Sequence, residues 1–246
     1  MNMKIRILGC SGGYPAPGKP TSGYLVTYGN RNVLIDCGSG VLAELQKYVP
    51  INSIDAIILT HLHSDHICDI PVLKYALQMM ELHHEDVHPI TVYAPKTPET
   101  QLAGIIGDEN LIVIPISGDT SIELFGARID FHQTKHSVEC LAVRMEYHES
   151  VLSYSSDTSF DPELSAIFEN ADLGIMDCGS LDNDPYSSKN HMSPKECYSI
   201  FLHSGTKRVV LSHLIPYYNI SDTVEEASLL GEWPYEIALL DTEYII

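Results

Sequence analysis

The sequence predicts an α/β protein of two sheets with outer helices, folded as one domain over residues 1–246. Three observations lead there. The apolar runs are short: AIIL (56–59) and LIVIPI (111–116) are strand-length, far below the ~20 residues a membrane-spanning helix needs. Strand runs have helical patterns between and after them. No repeat, low-complexity stretch or linker interrupts the chain, whose 246 residues suffice for one large domain with two core layers.

Taken in order, KIRILG (4–9), GYLVTYG (23–29), NVLIDCG (32–38) and AIILTH (56–61) fit strands. GVLAELQKY (40–48) fits a helix. A longer helix fits 66–82, where Ile67, Ile70, Leu73, Leu77 and Met80 recur at helical spacing. Strands follow near 90–94, 111–116, 121–125, 128–134, 140–147 and 150–155. SFDPELSAIFEN (159–170) reads as a short helix, with Asp161 as cap before Pro162. The strand ADLGIMD (171–177) precedes a helix over 193–205, opened by Ser193-Pro194 and closed by Gly205. RVVLSH (208–213), a helix near 222–231 and the strand YEIALL (235–240) complete the set.

Hydrophobic residues at 44% and charged residues at 19% describe an ordinary soluble globular protein. MNMKIRILGC enters a strand pattern at once, so no secretory signal is expected. Six cysteines (10, 37, 68, 140, 178, 197) without CxxC pairs read as reduced thiols of a cytoplasmic protein. The net charge is −19, with 14 Lys and Arg and no basic cluster larger than TKR (206–208). Such a field repels polyphosphates, so a small-molecule substrate is expected rather than RNA. Otherwise the acidic balance reads as a solvated surface.

THLHSDH (60–66) carries the chemistry. Its histidine density is uninformative in a chain with 12 histidines. Its order, His-x-His-x-Asp-His, would arise by random placement about 0.002 times per chain. The strand AIILTH delivers His61 at its end, so His61 and His63 can pinch one cation from a loop. Asp65 and His66 start the following helix and face a second position. Four ligands in six residues cannot all bind one ion in a relaxed tetrahedron, so two adjacent ions fit better. His136, Asp157 and His213 also follow strands, where loops meet over a rigid sheet. Singly each reads as a cap or solvated loop residue; together with the first cluster they become candidate ligands.

These segments, with LIDCGSG before them and SSDT, KH and LSH after, resemble the metallo-β-lactamase fold superfamily of binuclear metal hydrolases. The resemblance covers essentially the whole chain. LGCSGGYPAPGKPTSGYLV and NHMSPKECYSIFLHSGTKRVVLSH resemble, more narrowly, the branch containing tRNase Z and small phosphodiesterases. It implies a four-layer αββα sandwich with metals at one edge. It also implies that His61, His63 and His136 hold one ion, Asp65, His66 and His213 the other, with Asp157 bridging. Asp36 would orient ligands from behind, although a turn-forming Asp is its plainer reading. His191, in NHMSP, would contact the scissile phosphate and help the leaving group; its plainer reading is a residue before a helix. Asp65 would also accept or relay a proton. Two divalent ions are implied, zinc foremost, with manganese or iron(II) as alternatives. Homodimers are common in the family.

Two lookalikes stand apart. GYPAPGKP (13–20) nearly matches a phosphate-binding loop, but Pro20 replaces the hydroxyl that would hold magnesium. It reads better as a loop beside the metal cleft, with Tyr14 or Lys19 near substrate. ELHHEDVH (81–88) lacks a ligand order and reads as the exposed end of the 66–82 helix.

The expected function is a metal-dependent hydrolase of a small or cyclic phosphodiester. For tRNA processing, the family's His-Glu-Ala-Thr element is absent near MDCGS (176–180), and no basic arm is visible. An endoribonuclease, or a thioester or lactone hydrolase on the same metals, are the alternatives.

Overall fold

Val33, Leu34 and Ile35 are consecutive and all buried, although successive strand residues point to opposite faces. The strand carrying them must be covered on both sides. The same holds for Ala56–Ile57–Ile58 and for Val209–Val210–Leu211. Continuous apolar runs of this kind mark strands sandwiched between two layers.

A computed structural model, which describes residues 2–107, 109–185 and 189–246, shows those layers. The first half contributes β1 (Lys4–Gly9), β2 (Gly23–Tyr28), β3 (Arg31–Ile35), β4 (Ala56–Ile58), β5 (Ile90–Pro95) and β6 (Leu111–Ile116). The second contributes β7 (Ser121–Leu124), β8 (Ala127–Gln133), β9 (Leu141–Tyr147), β10 (Ser150–Tyr154), β11 (Leu173–Asp177), β12 (Val209–Ser212) and β13 (Tyr235–Ile237). A last strand, β14 (Glu243–Ile245), returns to pair antiparallel with β1. Among the described residues the sheets run β14-β1-β2-β3-β4-β5-β6 and β13-β12-β11-β10-β9-β8-β7. Each begins as an antiparallel meander and continues as parallel strands, from β3 onward in one sheet and from β10 onward in the other.

The core divides into three slabs. Val33, Ile35, Ala56, Ile58, Phe131, Tyr154, Ile175 and Val210 pack between the sheets. Leu34 and Ile57 point the other way, toward α1 (Val41–Leu45). On the same face lie α2 (Ser64–Ile67), α3 (Ile70–Leu82) and, farther along, α4 (Glu99–Ala103). Val209 and Leu211 point toward α5 (Leu164–Ile167), α6 (Pro194–Ser204) and α7 (Ile220–Ser228). This is the expected αββα sandwich.

Three expectations about helices need correction. The helix expected over 66–82 is broken at Cys68 and Asp69, with Pro71 in the first turn of α3. A continuous helix would need the N–H that Pro71 lacks and would press its ring against the carbonyl of Ile67. Asp69 instead donates its N–H to the Cys37 carbonyl (3.0 Å) and accepts from the Leu42 N–H (3.0 Å), tying the break to α1. The helix expected over 40–48 is shorter. The one expected over 159–170 starts only at Leu164, and Asp161 accepts from the Glu163 N–H (3.1 Å) without capping it. By contrast, α6 has the expected ends: Ser193 and Glu196 form a capping box, and Gly205 takes φ +69°.

All six cysteines are free thiols, five of them buried. No helix among the described residues is long and apolar enough to cross a membrane.

Candidate metal centre

The ends of the parallel strands on both sheets converge at one edge of the sandwich. After β4 the chain runs through Thr60 to His61, and His63 (φ −69°, ψ 150°) forms the N-cap of α2, which carries Asp65 and His66. His136 follows β8, Asp157 follows β10 and His213 follows β12 directly. Asp36, Ser156 and His213 all hold positive φ, at 59°, 53° and 55°. Non-glycine residues rarely adopt that backbone. Its clustering at one sheet edge is typical of sites where the surrounding fold enforces a strained geometry.

Two groups of ligand atoms meet there, and Asp157 belongs to both. His61, His63, His136 and Asp157 form one; Asp65, His66, His213 and Asp157 form the other, with ligand atoms in each within 4.8 Å of one another. In the first, His63 Nδ1 lies 3.1 Å from both His61 Nε2 and His136 Nε2. Asp157 Oδ2 faces this group, 3.6 Å from His61 Nε2 and 3.8 Å from His136 Nε2. Asp157 Oδ1 faces the second, 3.2 Å from His66 Nε2 and 3.3 Å from His213 Nδ1. Asp65 Oδ2 closes it, 3.5 Å from His66 Nε2.

Donor atoms about 2.1 Å from a shared cation at tetrahedral angles stand about 3.4 Å apart. The observed separations match that spacing. His66 Nε2 and Asp157 Oδ1 are buried without a hydrogen-bond partner, a costly state for polar atoms in the interior. The donor set therefore fits a metal site.

Burial holds His61, His63 and His136 below the ordinary imidazole range, and neighbouring histidines add to the effect. Neutral rings with free lone pairs are what a cation requires. For His66, burial is outweighed by the carboxylates of Asp157 and Asp36, which hold it well above its usual range. Burial also opposes charge on Asp157, and the facing histidines outweigh it and keep the carboxyl ionised.

Asp36 sits behind the candidate ligands. Fully buried, it accepts from His66 Nδ1 at 2.7 Å and from the Thr60 N–H at 2.9 Å. That bond fixes the His66 tautomer and aims Nε2 at the site. The glycine-rich loop after β1 also reaches the centre, through its backbone. The Gly13 N–H donates to Asp65 Oδ2 at 2.8 Å. A Cβ on Gly12 would lie 2.5 Å from the His213 carbonyl oxygen and 2.8 Å from its Nε2. Tyr14 and Lys19 are exposed farther along this loop. Residues 83–86 are exposed beyond the far end of α3, a helix about 20 Å long.

His191 lies beside the second group, its ring stacked on His213 with centroids 4.9 Å apart. Its partner, Asp177, is a residue the sequence reading did not single out. Asp177 ends β11, is fully buried, and accepts from His191 Nδ1 at 2.9 Å. It also accepts from the N–H groups of Thr158 (2.9 Å) and Gly179 (3.0 Å). Burial works against charge on His191, but the Asp177 carboxylate outweighs it and holds the imidazole up at about 9. The one available signal is position: Asp177 is an acidic residue at the end of an apolar strand, and several candidate ligands also lie at or just after strand ends.

A profile described as Beta-lactamase superfamily domain matches residues 31–214. The probable metallo-hydrolase YhfI of Bacillus subtilis is 31% identical over 224 residues, 91% of each chain. The crystal structure of that metallo-β-lactamase fold protein superposes with a TM-score of 0.94, covering 100% of both chains. A diphosphatase of the PhnP family (TM-score 0.74, 19% identity, covering 98% of this chain and 97% of that one) shares the fold. So does the short form of human tRNase Z (0.68, 17%, 98% of each). With the sandwich and the convergent histidine and aspartate groups in place, the chain belongs to the β-lactamase superfamily, in its metallo-β-lactamase fold.

Proposed function

We propose that the chain is a binuclear metal-dependent hydrolase of a small phosphodiester, linear or cyclic. The observation that carries this reading is Asp157, whose two oxygens face two separate donor groups. His61, His63, His136 and Asp157 would hold one divalent cation, and Asp65, His66, His213 and Asp157 the other. Zinc suits this imidazole-rich set, and manganese or iron(II) also accept it. Bound there, such ions supply Lewis-acid charge to the phosphoryl oxygens and lower the pKa of an attacking water.

The chain's own groups do the rest. Asp36 keeps His66 aimed inward, and the Gly13 N–H steadies Asp65. Asp65 is placed to accept a proton from the nucleophile. His191, charged and held through Nδ1 by Asp177, presents its other ring edge to the phosphate and donates a proton to the departing oxygen. A cationic imidazole beside the metals favours an anionic phosphodiester over a thioester or lactone. The net charge of −19 favours a small one over RNA. The relative described as a probable metallo-hydrolase supports the hydrolase part of the reading.

The test is a substrate panel on metal-reconstituted protein: bis-p-nitrophenyl phosphate, 2′,3′-cyclic nucleotides, a tRNA precursor, lactones and thioesters. Phosphodiesters should turn over fastest. His63→Ala and Asp65→Ala should abolish that turnover in a folded protein, and His191→Ala should lower kcat with metal content retained. Full activity after metal stripping sinks the mechanism.

A further inference from the structure

A cavity of about 610 Å³ lies between the loop after β1, the segment that starts one residue beyond His213 and the chain following β13. Two of its walls are direct continuations of the site. Leu214 follows His213, and its N–H donates to the Cys10 carbonyl at 2.8 Å, while the Gly12 N–H returns to the Leu214 carbonyl at 3.0 Å. The cavity thus shares one hydrogen-bonded wall with Gly12 and Gly13, which contact His213 and Asp65.

Its chemistry differs from the rest of the protein. Among the described residues lining it, Lys19 alone is charged, in a chain whose net charge is −19. Pro17, Leu214, Pro216, Tyr218 and Leu239 supply rigid or apolar surface. The polar groups nearby are already engaged: Cys10 donates to the Ala238 carbonyl and the Tyr218 hydroxyl to Asp184 Oδ2. A largely apolar hollow of this size, with one cation and no carboxylate among its described lining residues, accepts a ring-sized organic group with few hydrogen bonds of its own. A neighbouring cavity lined by Asp184, Asp222, Glu225 and Glu226 would repel an anion.

From this we infer that the cavity is the specificity subsite of the proposed phosphodiesterase and takes the uncharged, ring-bearing ester group of its substrate. Lys19, the one charged residue among the described residues lining it, is the cation that an anionic substrate would meet in the cavity itself. The inference rests on the proposed phosphodiesterase reading. It adds that the preferred substrate is an organic phosphodiester with a planar or apolar group on one ester oxygen. Binding energy from that remote group is gained beside the reacting phosphorus, where it helps to orient the diester.

The experiment compares two diesters with the same p-nitrophenolate leaving group: methyl p-nitrophenyl phosphate and 2-naphthyl p-nitrophenyl phosphate. Wild-type, metal-loaded protein should show a kcat/KM ratio favouring the naphthyl ester by at least about tenfold. Ala16→Trp, which places an indole in the cavity, should collapse that ratio toward one, chiefly through KM for the naphthyl ester. Equilibrium binding of 2-naphthyl methyl phosphonate, which lacks the leaving group, should weaken about tenfold or more in the same variant. A wild-type ratio near one, or an Ala16→Trp ratio equal to wild type, overturns the subsite while leaving the phosphodiesterase reading intact. Loss of hydrolysis of both esters by the wild type, with metals bound, overturns that reading instead, and phosphonate binding then decides the cavity separately.

Discussion

Replacing Asp177 by Asn preserves shape and removes charge, which makes it a sharp probe of His191. In the native protein the Asp177 carboxylate accepts three hydrogen bonds, from His191 Nδ1 and from the N–H groups of Thr158 and Gly179. An amide there offers one acceptor oxygen and turns two N–H donors toward groups that are donors themselves. A charge-assisted bond of this kind contributes roughly 1.5–3 kcal/mol, or about 10- to 150-fold in rate if it acts only in the transition state. We expect kcat on bis-p-nitrophenyl phosphate to fall within that range, with KM and metal content little changed. The melting temperature should fall by about 4–8 °C, taking ~2 kcal/mol and ~2–4 °C per kcal/mol for a domain of this size. The pH dependence gives the sign. Against burial, the surrounding carboxylates, Asp177 foremost and then Asp157 and Asp65, raise the His191 pKa from 6.5 to about 9, so the stabilisation it gains from them is complete below 6.5 and is lost as pH rises through 9. The stability gap between native protein and variant should therefore narrow over that window, and the alkaline limb of the rate profile should move to lower pH in the variant. Bound cations lower the absolute position of both limbs, so the displacement is the quantity to read. A kcat within twofold of native and an unmoved alkaline limb would refute the assignment.

Asp36→Asn should lower metal affinity about 10- to 100-fold, measured by chelator competition, because His66 loses the carboxylate that fixes its tautomer. Gly12→Ala should displace His213, given a Cβ only 2.5 Å from its carbonyl oxygen; loss of activity and of the second equivalent of bound metal would show it. Ser193→Ala should cost about 1 kcal/mol by removing the cap of α6, seen as a drop of ~2–4 °C in melting temperature.

The sequence discloses the ligands better than their supports. His61, His63, Asp65 and His66 are legible because a short loop and one helical turn bring them together without help from distant pairing. His136, Asp157 and His213 are legible because each follows a strand, and strand ends share one edge. Asp177 was not, since its partner His191 arrives 14 residues later, where the chain returns and the Ser180 N–H donates to the Met192 carbonyl at 3.0 Å. The contributions of Gly12 and Gly13 are made by backbone atoms, which residue identity does not announce. The apolar positions keep helical spacing across the break before α3 and mask it; Pro71 is its one mark in the sequence, and the Asp69 hydrogen bonds to Cys37 and Leu42 show where the chain turns.

Each proposed metal shell draws two ligands from the first half of the chain and two from the second: His61 and His63 with His136 and Asp157, and Asp65 and His66 with Asp157 and His213. Neither half alone holds a full shell. In an unfolded chain Asp65 and His213, which share one proposed shell, are separated by 213 − 65 = 148 positions, so a cation there cannot gather the same donors without closing a very long loop. Ions held in these shells would therefore bind the native state almost exclusively and would stabilise it by mass action, in proportion to the logarithm of their free concentration. On the proposed function, the metal supply that sets how much of the protein is active would also set how much of it is folded, so metal starvation would deplete the protein itself as well as its activity.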